Sequence, residues 1–168
     1  NVDYSTSGQI NRALPDVGAV AGSGGGTASF TTARSAHTSV VYNGYLYVIG
    51  GFGSAFYNDI QYCSLNASTG AVGACTQQTN AFTGARMAFA SVVNNGYLYI
   101  IGGWDGSSRL NDIVYCPINS DHSVGTCTQQ TNAFTSARSD LSAATYNGYL
   151  YIAGGVDGSG RYNDIQYC

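Results

Sequence analysis

Lysine and glutamate are missing altogether: the six basic residues are all Arg and the nine acidic ones all Asp. That removes two of the best helix formers. In their place stand Gly, Tyr, Val, Ile, Thr, Ser and Asn, the mixture of pleated strands joined by tight turns, and the expected class is all-β. Charge is scarce, at 9% of residues with a formal net charge of −3, so there is no basic footprint and nucleic acid is not an expected partner. No apolar run approaches the roughly 18 to 20 residues that span a bilayer, so no membrane span is expected. No basic, apolar leader opens the chain, whose first residue is Asn1. The expectation is a processed leader or a piece of a longer protein.

What the sequence has is a repeat. The phrase "YNGYLYVIGG" at 42–51 returns as "NNGYLYIIGG" at 94–103 and as "YNGYLYIAGG" at 146–155, and an Ala-Arg pair recurs every 52 residues at Arg34, Arg86 and Arg138. A period near 50 made of short strands is the pattern of a β-propeller blade array. Within one period, Thr38 to Tyr42 (strand A) and Tyr45 to Ile49 (strand B) flank Asn43-Gly44. Asn-Gly between apolar alternations is a strong hairpin signal, because both positions must accept positive φ. Strand C is expected at Asn58 to Cys63, Asn111 to Cys116 and Asn163 to Cys168, and strand D at Ala71 to Thr79 and Ser123 to Thr131. Each Gly-Gly lets the backbone turn where a Cβ would not fit, and the Tyr and Leu side chains of the phrase fill the space between blades.

A strand ending in Gly-Gly, a variable loop, an Asn-Asp-led strand containing Tyr, and an Arg just before the next strand A together resemble the kelch repeat over residues 30–168. The resemblance implies blades of four antiparallel strands. It is informative about fold and poor for function, since such propellers host unrelated activities. Many kelch blades carry a Trp on strand D; here Cys75 and Cys127 stand instead. The expected divisions are a degenerate partial blade at 1–29 (strand C at Gly8 to Leu14, then strand D), blades at 30–81 and 82–133, and an incomplete blade at 134–168. Propellers close with about four to eight blades, so the array is expected to be an incomplete propeller or part of a larger ring. Further blades of the same protein, or a second copy of the chain, are then expected to cover its edges.

The cysteines keep the register. Cys63 with Cys75, and Cys116 with Cys127, lie on successive strands of one hairpin, which suits cross-strand disulfides and an oxidising, secreted or cell-surface location. A zinc site is the competing use of four Cys, but the close Cys pairs of zinc ligands are absent, and neither metal nor cofactor is expected. Cys168 is left unpaired. Asn66-Ala67-Ser68 fits an N-glycosylation acceptor on an exposed hairpin.

Function is sought where the copies disagree. The loops between strands B and C read "FGSAFY", "WDGSSRL" and "VDGSGRY", and in a propeller they gather on one face, where a rigid scaffold presents binding residues. Trp104, Asp105, Arg109, Asp157 and Arg161 are the ligand-contact candidates; the alternative is that Asp-Gly-Ser is turn chemistry and the Arg a solvated charge. The resemblance adds Arg34, Arg86 and Arg138, a position from which some kelch domains present Arg toward a ligand. An arc of guanidinium groups would suit carboxylates or sulfates; the alternative is that each Arg tethers loops of its own blade. The expected ligand is a protein or a glycan, an anionic one if the arc is free.

Enzymatic readings find little support. Copper needs imidazoles, and the chain has only His37, whose counterparts are Phe89 and Leu141, and His122 in a C-to-D turn. The arginine-cluster sialidases carry a Ser-x-Asp-x-Gly-x-x-Trp box that is missing here, and there is no Glu for acid or base work. "DGSSRLND" lacks the Gly placement and terminal Glu of a calcium loop, and Gly22 to Gly26 lacks the Lys of a phosphate cradle. The reading is a non-catalytic extracellular segment for recognition or adhesion; the alternatives are a building block of a surface layer or fibre, or part of a propeller enzyme acting on sugars.

Overall fold

The computed structural model describes residues 28–168; the partial blade expected at 1–29, with its strand at 8–14, lies almost wholly outside them. Three antiparallel sheets follow one another along the chain. The first runs β1 (Thr38–Tyr42), β2 (Tyr45–Phe52), β3 (Phe56–Leu65), β4 (Val72–Gln78), and the second β5 (Ala90–Asn94), β6 (Tyr97–Trp104), β7 (Arg109–Pro117), β8 (Thr128–Gln130). The third has β9 (Ser142–Tyr146), β10 (Tyr149–Ala153) and β11 (Ile165–Tyr167). In every sheet the strands are hydrogen-bonded in sequence order. β1 lies against β5 and β5 against β9, so the first strands of the sheets are innermost. This is the all-β, blade-by-blade architecture of a partial propeller.

Each tight hairpin is made by its Asn-Gly. At Asn43 and Gly44 φ is 47° and 77°, and the pairs at 95–96 and 147–148 repeat these values, the two successive positive angles of a type I′ turn. In the first two sheets the Gly-Gly that ends the repeated phrase does something the sequence pattern did not show: it carries the strand onward, whereas β10 stops at Ala153. β2 runs through Gly50 (φ 51°) and Gly51 (φ 97°) to Phe52, with a register shift between Ile49 and Gly51. That is a bulge, and it lets the chain go on pairing with Tyr57 and Phe56. A Cβ at Gly51 would stand 2.7 Å from the carbonyl oxygen of Ser35, and one at Gly103 would stand 2.8 Å from that of Met87. Glycine is what lets the segment leading into the first strand cross so closely.

Period-two alternation sends each strand's side chains to two different neighbours. Tyr47, Ile49 and Ile60 of the first sheet bury against Phe82, Phe89, Leu98, Ile100 and Val114 of the second. Ile101 and Ile113, from the other face of the second sheet, bury against Phe134, Leu141, Leu150 and Ile152 of the third. The core is thus a stack of sheet-to-sheet layers, in which full burial of one such side chain contributes about 1.5–3 kcal/mol. Of the Tyr and Leu expected to fill these layers, Tyr47, Leu98 and Leu150 are buried in them, whereas Tyr97, Tyr146 and Tyr149 stay exposed at the hairpin ends.

Two strands are shorter than the sequence suggests. β8 covers only Thr128–Gln130, because the turn before it is drawn onto the first sheet: His122 stacks on Tyr45 with ring centroids 3.8 Å apart, and the Tyr47 hydroxyl donates to the His122 carbonyl. β11 starts at Ile165 rather than Asn163.

Candidate functional site

Arg34 Nη1 and Nη2 donate to Asp59 at 2.6 and 2.8 Å; Arg86 makes the same fork with Asp112 at 2.7 and 2.9 Å, and Arg138 with Asp164 at 2.6 and 3.1 Å. Nη1 of each also donates to the first glycine of its own blade's pair, Gly50, Gly102 or Gly154. The Arg side chains are 0–1% exposed. Their donors are spent within the blade, so they form no open arc for an anionic ligand. They bolt the lead-in segment, the bulge and the third strand together.

The Asp of each "NDI" is the partner, and it lies on the third strand, or directly before it at Asp164, rather than in the variable loops. Gln77 and Gln129, from the fourth strands, add a further hydrogen bond to Asp59 and Asp112. Burial works to raise the pKa of Asp59, but the hydrogen bonds of Arg34, Gln77 and Gln61 outweigh it, and the group lies below the usual carboxylate range. Asp164, hydrogen-bonded by Arg138 and Gln166, is brought down to about 2.

Just beyond each Arg the backbone takes a left-handed residue: Ala36 (φ 50°), Ala88 (φ 53°) and Asp140 (φ 56°). Ala88 N–H donates to the Ala36 carbonyl at 2.9 Å, and Asp140 N–H to the Ala88 carbonyl at 2.7 Å. This chain of bonds is an inner rim passing from sheet to sheet. On it opens a shallow groove of about 290 Å³, whose walls include Ala36, Met87, Trp104, Arg109, Ser139 and Asp140. The second sheet and the lead-in segments of all three blades therefore contribute.

Arg109 spans the groove. Its guanidinium lies 5.3 Å from the centre of the Trp104 ring, and its Nε donates to Ser139 Oγ at 3.3 Å. Ser139 Oγ in turn donates to Asp140 Oδ2 at 2.8 Å. Among the described residues no hydrogen bond engages the two Nη groups of Arg109, so the groove offers a positioned cation beside an apolar wall, with a carboxylate at its far end.

The other loop candidates are not brought into the groove. Asp105 Oδ1 accepts the N–H groups of Ser107 and Ser108 at 2.8 and 2.7 Å, and those bonds hold its pKa down. Asp157 accepts from the Tyr162 hydroxyl and from the N–H groups of Ser159 and Gly160, which together hold its pKa down. These are turn chemistry. Arg161, the counterpart of Arg109, is exposed, and Val156 stands where Trp104 stands in the preceding blade.

Both disulfides have formed, Cys63 with Cys75 and Cys116 with Cys127, and Cys168 is free and exposed. They are compatible with an extracellular location. His37 is pressed toward its neutral form by burial and by Arg34. Among the described residues no group of three or more His, Cys, Asp or Glu could hold a metal ion, and no helix is long and apolar enough to cross a membrane.

The sequence matches one family model, that of the KLHDC2/KLHL20/DRC7 kelch-repeats domain, over residues 36–168. The match takes in the inner rim from Ala36 onward, both disulfides and every residue of the groove.

Proposed function

Because the chain belongs to the kelch-repeat family, whose domains are typically non-catalytic modules that bind proteins, we propose that it is an extracellular protein-recognition segment that takes its ligand in the groove of Trp104, Arg109 and Asp140. The observation that carries this reading is the contrast within the molecule: the three repeated arginines are sealed in ion pairs, whereas Arg109 is held on Trp104 with its Nη groups unpaired among the described residues. A guanidinium fixed at its Nε and unpaired beyond it suits an acidic or carbonyl-rich stretch of a partner's surface. Trp and Arg are also the side chains that most often dominate binding energy. Peptide is favoured over glycan because a guanidinium already lies over the Trp104 ring on which a sugar would stack.

The test is to select binders from a random peptide library on the purified protein. The selected peptides should lose at least about 30-fold in affinity for Trp104→Ala or Arg109→Ala, the size of a hot-spot loss of about 2 kcal/mol, and keep it for Arg161→Ala. Equal binding to all the variants would remove the groove from consideration.

A second reading, edge-to-edge assembly, draws on the uncovered face of the third sheet, where Tyr146, Ile165 and Tyr167 are 69, 69 and 70% exposed. Tyr42, Ile60 and Tyr62, at the same places in the first sheet, are covered by the second. Light scattering that grows with concentration supports assembly; a constant monomer mass removes it.

A further inference from the structure

The geometry points to Asn66 as an acceptor of an N-linked oligosaccharide, at the end of the blade away from the groove. Asn66-Ala67-Ser68 is the one Asn-x-Ser/Thr triplet in the 168 residues. It lies in the turn between β3 and β4, where residues 66–71 are all exposed. Asn66 Oδ1 accepts the N–H groups of Ser68 and Thr69 at 2.9 and 3.0 Å, which fixes the amide plane. Among the described residues no hydrogen bond engages Nδ2, the atom that must react.

Two further observations agree. The first is the disulfide Cys63–Cys75, which brackets the turn and is compatible with an oxidising compartment, where such transfer occurs in eukaryotic cells. The second is the matching turn of the next blade, which carries Asn119-Ser120-Asp121, with no hydroxyl residue two places on. There Asn119 Nδ2 is engaged, donating to Ser123 Oγ at 3.0 Å. The two turns differ in the direction the modification requires.

In the transfer, Asn66 Nδ2 attacks the anomeric carbon of a lipid-pyrophosphate-linked oligosaccharide held by the host's transferase. A C–N bond forms, the anomeric C–O bond breaks, one Nδ2 proton is lost to the medium, and the lipid pyrophosphate leaves. Leu65 N–H donates to the Gly44 carbonyl, so this turn shares the end of the blade with the Asn-Gly hairpin. The loops that carry Trp104 and Arg109 are at the opposite end. A glycan at Asn66 would leave the groove open.

The test is to express the chain behind a cleavable secretion signal in a eukaryotic host and measure its intact mass before and after peptide-N-glycosidase treatment in heavy-oxygen water. The expected result is one glycan mass, its removal with an isotope-marked Asp at 66, and the bare sequence mass for Asn66→Gln and Ser68→Ala. Cell-free translation with microsomes reads the same modification should a variant fail to leave the cell. Wild-type chain that carries both disulfides and an unmodified Asn66 would overturn the proposal. Failure of the groove to bind peptides would not touch it.

Discussion

The second and third sheets are built from nearly the same sentence and end in different physical states. In the second, which has a sheet on either side, Asp112 is 4% exposed, Arg109 rests on Trp104, and Cys116 is joined to Cys127. In the third, which among the described residues has a neighbour on one side only, the Asp164 side chain is 38% exposed, Arg161 is exposed beside Val156, and Cys168 is a free thiol. The repeat therefore dictates backbone and hydrogen-bond pattern, while the neighbouring sheet decides what each group is worth. The same Arg–Asp fork is a buried bolt in one place and a half-solvated pair in the other.

The largest expected effect breaks that comparison at its centre. Arg86→Ala leaves the Asp112 carboxylate buried without its partner, and loss of one member of a buried pair typically costs about 3–5 kcal/mol. Denaturant unfolding should show the loss. Arg138→Ala, at the equivalent position in the half-open sheet, should cost clearly less, because the Asp164 side chain it leaves behind is 38% exposed. Equal losses would mean that the second flanking sheet contributes nothing to the pair. Replacing Cys63 and Cys75 together by Ser comes next. Closing a loop of this length is worth about 3 kcal/mol in the chain-entropy account, and reduced wild-type protein, which loses Cys116–Cys127 as well, should unfold at a lower denaturant concentration than the oxidised variant.

How much of this was legible follows from how local each feature is. Asn43-Gly44 declared its turn because the signal and the structure occupy the same two residues. The blade period was equally plain, since the Gly pairs and arginines recur in step. The Arg34–Asp59 fork was not, because its members are 25 residues apart and nothing in either short motif names the other, although both recur with the repeat. The extent of β8 was hidden for a related reason: it depends on where His122 lands on the preceding sheet. Of the groove, the loop residues Trp104 and Arg109 could be picked out as the place where copies differ. The far wall, Ser139 and Asp140, belongs to the next blade's lead-in segment and emerges only when the sheets are stacked.

Acid sharpens the comparison more gently. Asp59 and Asp164 are held below the ordinary Asp value, Asp164 at about 2. A carboxylate with a lower pKa folded than unfolded takes up protons more readily in the unfolded chain, so its contribution is complete above the unfolded value of about 3.9 and drains away as pH falls toward the folded one. Unfolding followed from pH 5 to pH 2 should show stability falling across that window, and Asp164→Asn should flatten the fall. An unchanged slope would mean that the carboxylate is as easily protonated folded as unfolded.

The smallest expected effect concerns the two loop arginines and is the most telling about function. A cation lying against an exposed ring is worth about 0.5–1 kcal/mol, so Arg109→Ala should lower stability by no more than that, and Arg161→Ala by less. Trp104 is the only tryptophan in the chain, so its emission reads the groove without a label. Removing Arg109 uncovers one side of the indole and should move that emission to longer wavelength, whereas removing Arg161 should leave the spectrum as it was. If the spectrum ignored both changes, the stacking of Arg109 on Trp104 would not hold in solution. The difference between the two loops would then shrink to a difference of sequence, and the groove would lose the positioned cation that separates it from the turn at Asp157.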